Sequence, residues 1–130
     1  MRHRKSGRKL GRKTAHRKAL MSNLALALIT HKKIKTTDAK AKELRTFIEP
    51  LITRAKKGDI HSRRQVLKKI PHKNTVKELF DVVAPVFLKR NGGYTRITKL
   101  GFRDNDRASL SMIEFVDFID NNVSEDQVET

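Results

Sequence analysis

The chain has 130 residues, no cysteine, no tryptophan, a 37 % apolar share and a formal net charge of +16. That length fits one domain with appended arms and a modest core, and the missing cysteines exclude a disulfide framework, a thiolate nucleophile and a cysteine zinc site. So large a positive charge calls for a polyanionic partner.

The charge is unevenly spread. Residues 1–37 carry 12 of the 30 Lys/Arg and no acid, while residues 38–130 carry 18 basic against 14 acidic residues. Beyond Leu110 the sign reverses, with Glu114, Asp117, Asp120, Glu125, Asp126 and Glu129 and no further Lys or Arg. The opening MRHRKSGRKLGRK has no apolar period, and only Leu10 in it is strongly apolar. Residues 1–13 therefore read as an extended arm that gains order on a partner.

Thr14 can cap a helix over Ala15–His31, with Leu20, Leu24 and Leu28 at four-residue spacing and Met21 and Ala27 beside them. The apolar run within it, ALMSNLALALI, is too short to span a bilayer. Ser22 and Asn23 interrupt it, and Thr30-His31-Lys32-Lys33 stands where a signal peptide has small residues. A retained N-terminus and a cytoplasmic protein are the expectation. KKIKT (32–36) alternates as a short strand. A second helix is expected from Thr37 (cap) and Asp38 to a stop at Gly58, with Leu44, Phe47, Ile48, Leu51, Ile52 and Ala55 on one stripe. Pro50 in that stripe predicts a kink over 46–50.

Asp59 can cap a third helix carrying Val66, Leu67 and Ile70 to Pro71, and Asn74 a fourth carrying Val76, Leu79, Phe80, Val83 and Phe87. Pro85 threatens the last turn of the fourth, and Asn91-Gly92-Gly93 stops it. Tyr94–Phe102 and Ala108–Phe118, joined by RDNDR (103–107), read as an antiparallel hairpin. The expected architecture is α+β: a helical core of about four helices, a small three-stranded sheet including the KKIKT segment, and the basic N-terminal arm. Its domains are residues 1–13 (arm), 14–118 (globular) and 119–130 (acidic flexible tail).

Catalysis finds no support. The five histidines, His3, His16, His31, His61 and His72, include no i, i+4 pair. Asp104 and Asp106 bracket a turn, where Asp commonly bonds nearby amides. No nucleophile, base and oxyanion donor assemble, so no enzyme, metal, cofactor or small-molecule substrate is expected. Asn122-Val123-Ser124 matches a glycosylation acceptor that a cytoplasmic protein does not use. The glycine pair in KRNGGYTRI turns the chain from helix to strand. It also lets phosphate approach backbone amides flanked by Lys89, Arg90 and Arg96. Tyr94 is either a base-stacking ring or a half-buried strand residue.

The arm decides the partner class. Without acids, such a segment is neutralised by phosphates, which Arg grips bidentately. It lacks the apolar face that a membrane interface needs. Nucleic acid follows, and composition leaves DNA and RNA both open.

Four strings go further. MRHRKSGRKLGR, HRKALMSNLALALITHKKIKTTDAKAKELR, ITRAKKGD and RNGGYTRITKLGFR resemble, in order and spacing, the bacterial large-subunit ribosomal protein seventeen family, over residues 1 to about 116. The resemblance implies a structural constituent of the large ribosomal subunit that binds ribosomal RNA near the exit of the peptide tunnel, beside other large-subunit proteins. Under it, Arg2, His3, Arg4, Lys5, Arg8, Lys9, Arg12 and Lys13 would thread among phosphates. Arg17, Lys18, Arg63, Arg64, Arg90, Gly92, Gly93, Tyr94, Arg96, Lys99 and Arg103 would then dock the domain. The alternative is a DNA-architectural protein, which co-sedimentation with chromosomal DNA instead of large subunits would reveal.

Overall fold

A computed structural model describes residues 14–118. The basic arm (1–13) and the acidic tail (119–130), with the contacts expected of them, lie outside the described residues.

Helix α1 (Thr14–His31) leads into strand β1 (Lys33–Thr37) and helix α2 (Asp38–Lys57). Thr14 is already helical and so is not a flanking cap. The buried face of α1 is Met21, Ser22, Ala25, Leu28 and Ile29; Leu28 and the flanking Met21 are buried as expected, whereas Leu20 and Leu24 are only partly buried. Lys32 belongs to neither element. It takes a left-handed backbone (φ 70°), its amide bonds the Leu28 carbonyl, and its ammonium reaches the Ile29 carbonyl at 2.6 Å and Glu78 at 2.7 Å. A lysine here does what glycine usually does after a helix, with its side chain satisfying a terminal carbonyl.

Helix α2 follows its expected boundaries. The Thr37 hydroxyl accepts from the Lys40 amide and Gly58 closes the other end at φ 73°. Leu44, Ile48, Leu51, Ile52 and Ala55 are buried, with Phe47 partly so. The helix continues as one element across Pro50, which stands on its exposed side. There water can serve the Thr46 carbonyl that proline leaves without a donor.

Asp59 caps α3 (Ile60–Lys69), accepting from the Ser62 amide at 2.7 Å. The fourth helical stretch is capped at His72 with no side-chain bond, so Asn74 is inside it and not its cap. Helix α4 (Lys73–Glu78) runs directly into a π-helical turn (Leu79–Val83) and a last α-turn (Ala84–Val86). The Ala84 amide bonds the Leu79 carbonyl, one residue further back than in an α-helix. Pro85 follows with no amide to donate, which is where a widened turn is tolerated. The helix therefore ends at Phe87, before the glycines.

Strands β2 (Thr95–Phe102) and β3 (Ser109–Phe115) form the expected hairpin, and β1 joins the other side of β3, giving the antiparallel order β1-β3-β2. A 3-10 turn (Val116–Phe118) replaces the expected end of β3. Phe115, Ile113 and Ser111 face α2, where Ser111 donates to Asp38 at 2.8 Å.

The glycine segment is a loop held down by α2. Glu49 accepts from the Thr95 amide and hydroxyl, Arg45 donates to the Thr95 carbonyl, and Lys56 donates to the Arg90 carbonyl and the Tyr94 hydroxyl. Gly92 has φ 124° and Gly93 φ 62°, with no atom within 4 Å of where a Cβ would stand on either. Backbone conformation, not space, requires glycine here. Gly92→Val is expected to lower stability by about 1–3 kcal/mol, and Gly93→Asn by less, because Asn tolerates the left-handed region. Thermal unfolding of the two variants checks the order, and equal melting contradicts it.

Candidate nucleic-acid interface

Two groups of cations stand out on the folded domain, one made of expected residues and one mostly not. In the first, each arginine already meets a carboxylate or a ring. Arg90 faces Asp117 at 3.5 Å, Arg96 faces Glu114 at 3.4 Å, and Arg103 grips Asp106 through two nitrogens at 3.0 and 2.7 Å. Arg63 lays its guanidinium 4.5 Å from the centre of the Phe80 ring. These cations lie on different elements, and the carboxylates offset part of their charge.

The second group is on the α1–α3 side. Two adjoining grooves, about 320 and 310 Å³, share Lys18, Lys68 and Lys69 in their walls. Phe47 and Gln65 complete one, and Ala19, Ser22, Asn23, Pro71 and His72 the other. Among the described residues no carboxylate lines either groove. Lys68 and Lys69 sit in the last turn of α3, where the helix's negative end favours cations. That explains why the fold tolerates them together, and no described carboxylate in the groove walls competes with phosphate for them. Arg64, exposed one turn before Lys68, extends the same helix edge, and Arg17 precedes Lys18 on α1.

Sequence reasoning named Lys18 and missed Lys68, Lys69 and His72. KKIPHK (68–73) is a visible basic cluster, but nothing in it says that the start of α1 lies alongside. Tyr94 is corrected: it is 2 % exposed, 5.1 Å from Phe87 ring to ring, and hydrogen-bonded through its hydroxyl to Lys56. In this fold it is a core residue whose ring has no free face for a base. Gly92 and Gly93 keep an open backbone, and Lys99 is exposed on β2.

The acids are largely absorbed by structure. Bonds from Ser111 and then Lys42 hold the Asp38 carboxyl below its usual range, and bonds from Ser62 do the same for Asp59. Asp106 is held down to about 2, first by the Arg103 hydrogen bond and then by the Ala108 amide. Since 2 lies below the ordinary 3.8, this staple is complete above pH 3.8 and is lost as pH falls through about 2. A carbon-detected titration of Asp106 is expected to show that midpoint, returning toward 3.8 in Arg103→Ala. An unmoved midpoint in the variant means that Arg103 is not the cause.

Among the described residues no group of three or more His, Asp or Glu could hold a metal ion, and no helix is long and apolar enough to cross a membrane. A small α+β domain that commits its acids to internal bonds and gathers lysines without them belongs to the class of basic, polyanion-suited structural proteins.

The chain belongs to the ribosomal protein L17 family, whose profile matches residues 20–116. It is 52 % identical over 117 residues to the large ribosomal subunit protein bL17 of Allorhizobium ampelinum, covering 90 % of this chain and 83 % of that one. The proteins of the same name from Agrobacterium fabrum and Mesorhizobium japonicum are each 50 % identical over 117 residues, again 90 % of this chain and 83 % and 82 % of theirs. This is a family of ribosomal proteins, components of a ribonucleoprotein particle that serves translation, and not of enzymes.

Proposed function

We propose that the protein is a structural constituent of the large ribosomal subunit in the cytoplasm, where it binds and stabilises ribosomal RNA near the exit of the peptide tunnel. Its relatives' names carry the subunit. The family resemblance carries the position at the tunnel exit and the other large-subunit proteins as neighbours. Binding to RNA rests on one observation, the groove of Lys18, Lys68 and Lys69 with no described carboxylate in its walls.

Three ammonium groups on two helices repel one another unless anions lie between them. A phosphodiester backbone supplies those anions at regular spacing. The arm's Arg2, Arg4, Lys5, Arg8, Lys9, Arg12 and Lys13, with His3, extend the contact to RNA segments beyond the reach of the folded domain. The protein's work is then to hold RNA segments together.

The test is the salt dependence of binding to deproteinised large-subunit ribosomal RNA. Replacing Lys18, Lys68 and Lys69 together by Ala is expected to reduce the magnitude of the salt slope by about 2–3, at roughly 0.7–0.9 per lost contact. Arg96→Gln, which removes a cation already facing Glu114, is expected to change it by less than one such step. A triple variant with the parent's affinity and slope overturns the groove as an RNA site.

A further inference from the structure

The chain has seven aromatic residues, six Phe and one Tyr, and all of them fall among the described residues. Phe80, Phe87, Tyr94, Phe115 and Phe118 are buried and Phe47 packs half-buried against the core, whereas Phe102 is 65 % exposed. It ends strand β2, at the tip of the β2–β3 hairpin. A bulge between Lys99 and Gly101 (φ 114°) inserts an extra residue there, and Leu100 beside it is 46 % exposed. Two large apolar side chains thus stand at the far end of a strongly basic protein.

The tip is built to hold its shape. The Arg103 amide bonds the Ala108 carbonyl at 2.9 Å, the Arg107 amide bonds the Arg103 carbonyl at 2.8 Å, and Asp106 accepts both from the Arg103 fork and from the Ala108 amide. Arg103, read from the sequence as a phosphate ligand, is here the staple of the turn. Arg107 takes a left-handed backbone (φ 56°), which few residues other than glycine adopt. From there its guanidinium lies 5.8 Å from the centre of the Phe102 ring.

We infer that this hairpin tip is a stacking platform for an unpaired nucleobase of RNA, with the face of the Phe102 ring opposite Arg107 as the stacking face and the Arg107 guanidinium, over the other face, for the adjoining phosphate. The inference rests on the RNA-binding reading above and gives it a base contact. Unpaired bases stack on aromatic rings and on guanidinium planes, and such contacts tolerate many sequences. An apolar socket on another protein would match the ring but would have to strip water from Arg107, whereas a nucleotide offers a π-face and an anion together. Lys99 adds a further cation on the same strand. Phe102 has the exposed ring that a stacked base needs and that the buried Tyr94 lacks.

Because the chain has no tryptophan, Phe102→Trp installs a single fluorescent reporter. The full-length variant is titrated with deproteinised large-subunit ribosomal RNA while filter retention measures binding separately. The expected result is retention like that of the parent, with tryptophan emission falling several-fold as the indole stacks. Phe102→Ala is expected to melt with the parent, since the ring is exposed, and to bind about 5- to 100-fold more weakly with the salt slope unchanged. Full retention with unquenched indole emission and a parent-like Phe102→Ala overturns the platform while leaving RNA binding by the groove intact. Emission that changes only when other large-subunit proteins are added makes the tip a protein contact and also overturns it. A parent that fails to retain RNA overturns both readings.

Discussion

Deleting residues 1–13 is expected to weaken binding to deproteinised large-subunit ribosomal RNA more than any single substitution in the folded domain. The deletion removes Arg2, Arg4, Lys5, Arg8, Lys9, Arg12 and Lys13 and not one acidic residue. If all seven meet phosphates, the salt slope loses about 5–6 in magnitude. At moderate salt, that corresponds to several orders of magnitude in affinity. Residues 14–118 hold every core residue described above, so the shortened protein is expected to unfold at the parent's temperature. A deletion variant that binds with the parent's affinity and slope rules out the arm as the main electrostatic contact. One that no longer folds shows instead that the arm helps to stabilise the domain.

The largest expected effect on stability is that of Phe87→Ala. Phe87 is fully buried at the junction of the last helical turn with the hairpin, with ring centres at 5.1 Å to Tyr94, 6.0 Å to Phe115 and 6.2 Å to Phe118. Removing the ring leaves a cavity bordered by those three rings, at a cost of about 3–5 kcal/mol. Domains of this size hold roughly 5–15 kcal/mol in all, so the midpoint is expected to fall by on the order of 15 °C or more. Val86→Ala, one residue earlier and 42 % exposed, serves as the control and should move stability by no more than about 0.5 kcal/mol. Melting of Phe87→Ala within a few degrees of the parent would show that the aromatic cluster repacks around the gap.

The same cluster connects stability to the hairpin proposed above to meet RNA. Tyr94 and Phe115 anchor the roots of β2 and β3, and Lys56 ties the Tyr94 hydroxyl to α2. The hairpin can therefore carry Phe102 and Arg107 outward on a fixed base. On the α1–α3 side, the grooves depend on packing between helices and not on this cluster. A hairpin-tip variant and a groove variant lie on separate elements with no shared partner, so their effects on RNA affinity are expected to add.

Local chemistry was legible from the residues alone. Helix α2 has its cap, its stripe and its terminal glycine within one continuous segment, and the fold places each as read. The Asp59 cap and the hairpin are equally local, since a side chain bonding an amide three residues on needs no distant partner. Helix α1 shows the opposite case. Leucine and alanine occur around most of its circumference, so several faces could be buried, and only packing within the folded domain selected Met21, Ala25, Leu28 and Ile29. Pro85 announced a disturbance, but the choice of a widened π-turn over an early stop came from burying Phe80, Val83 and Phe87 together. Charge followed the same division. The count and its N-terminal bias could be read directly, and family membership with them. Which cations are spent on Glu114 and Asp117, and which stand together at Lys18, Lys68 and Lys69, depended on residues far apart in the chain meeting in space. Electrostatic energy depends on distance through the folded molecule and not on separation along the chain, so only the tertiary structure could assign them.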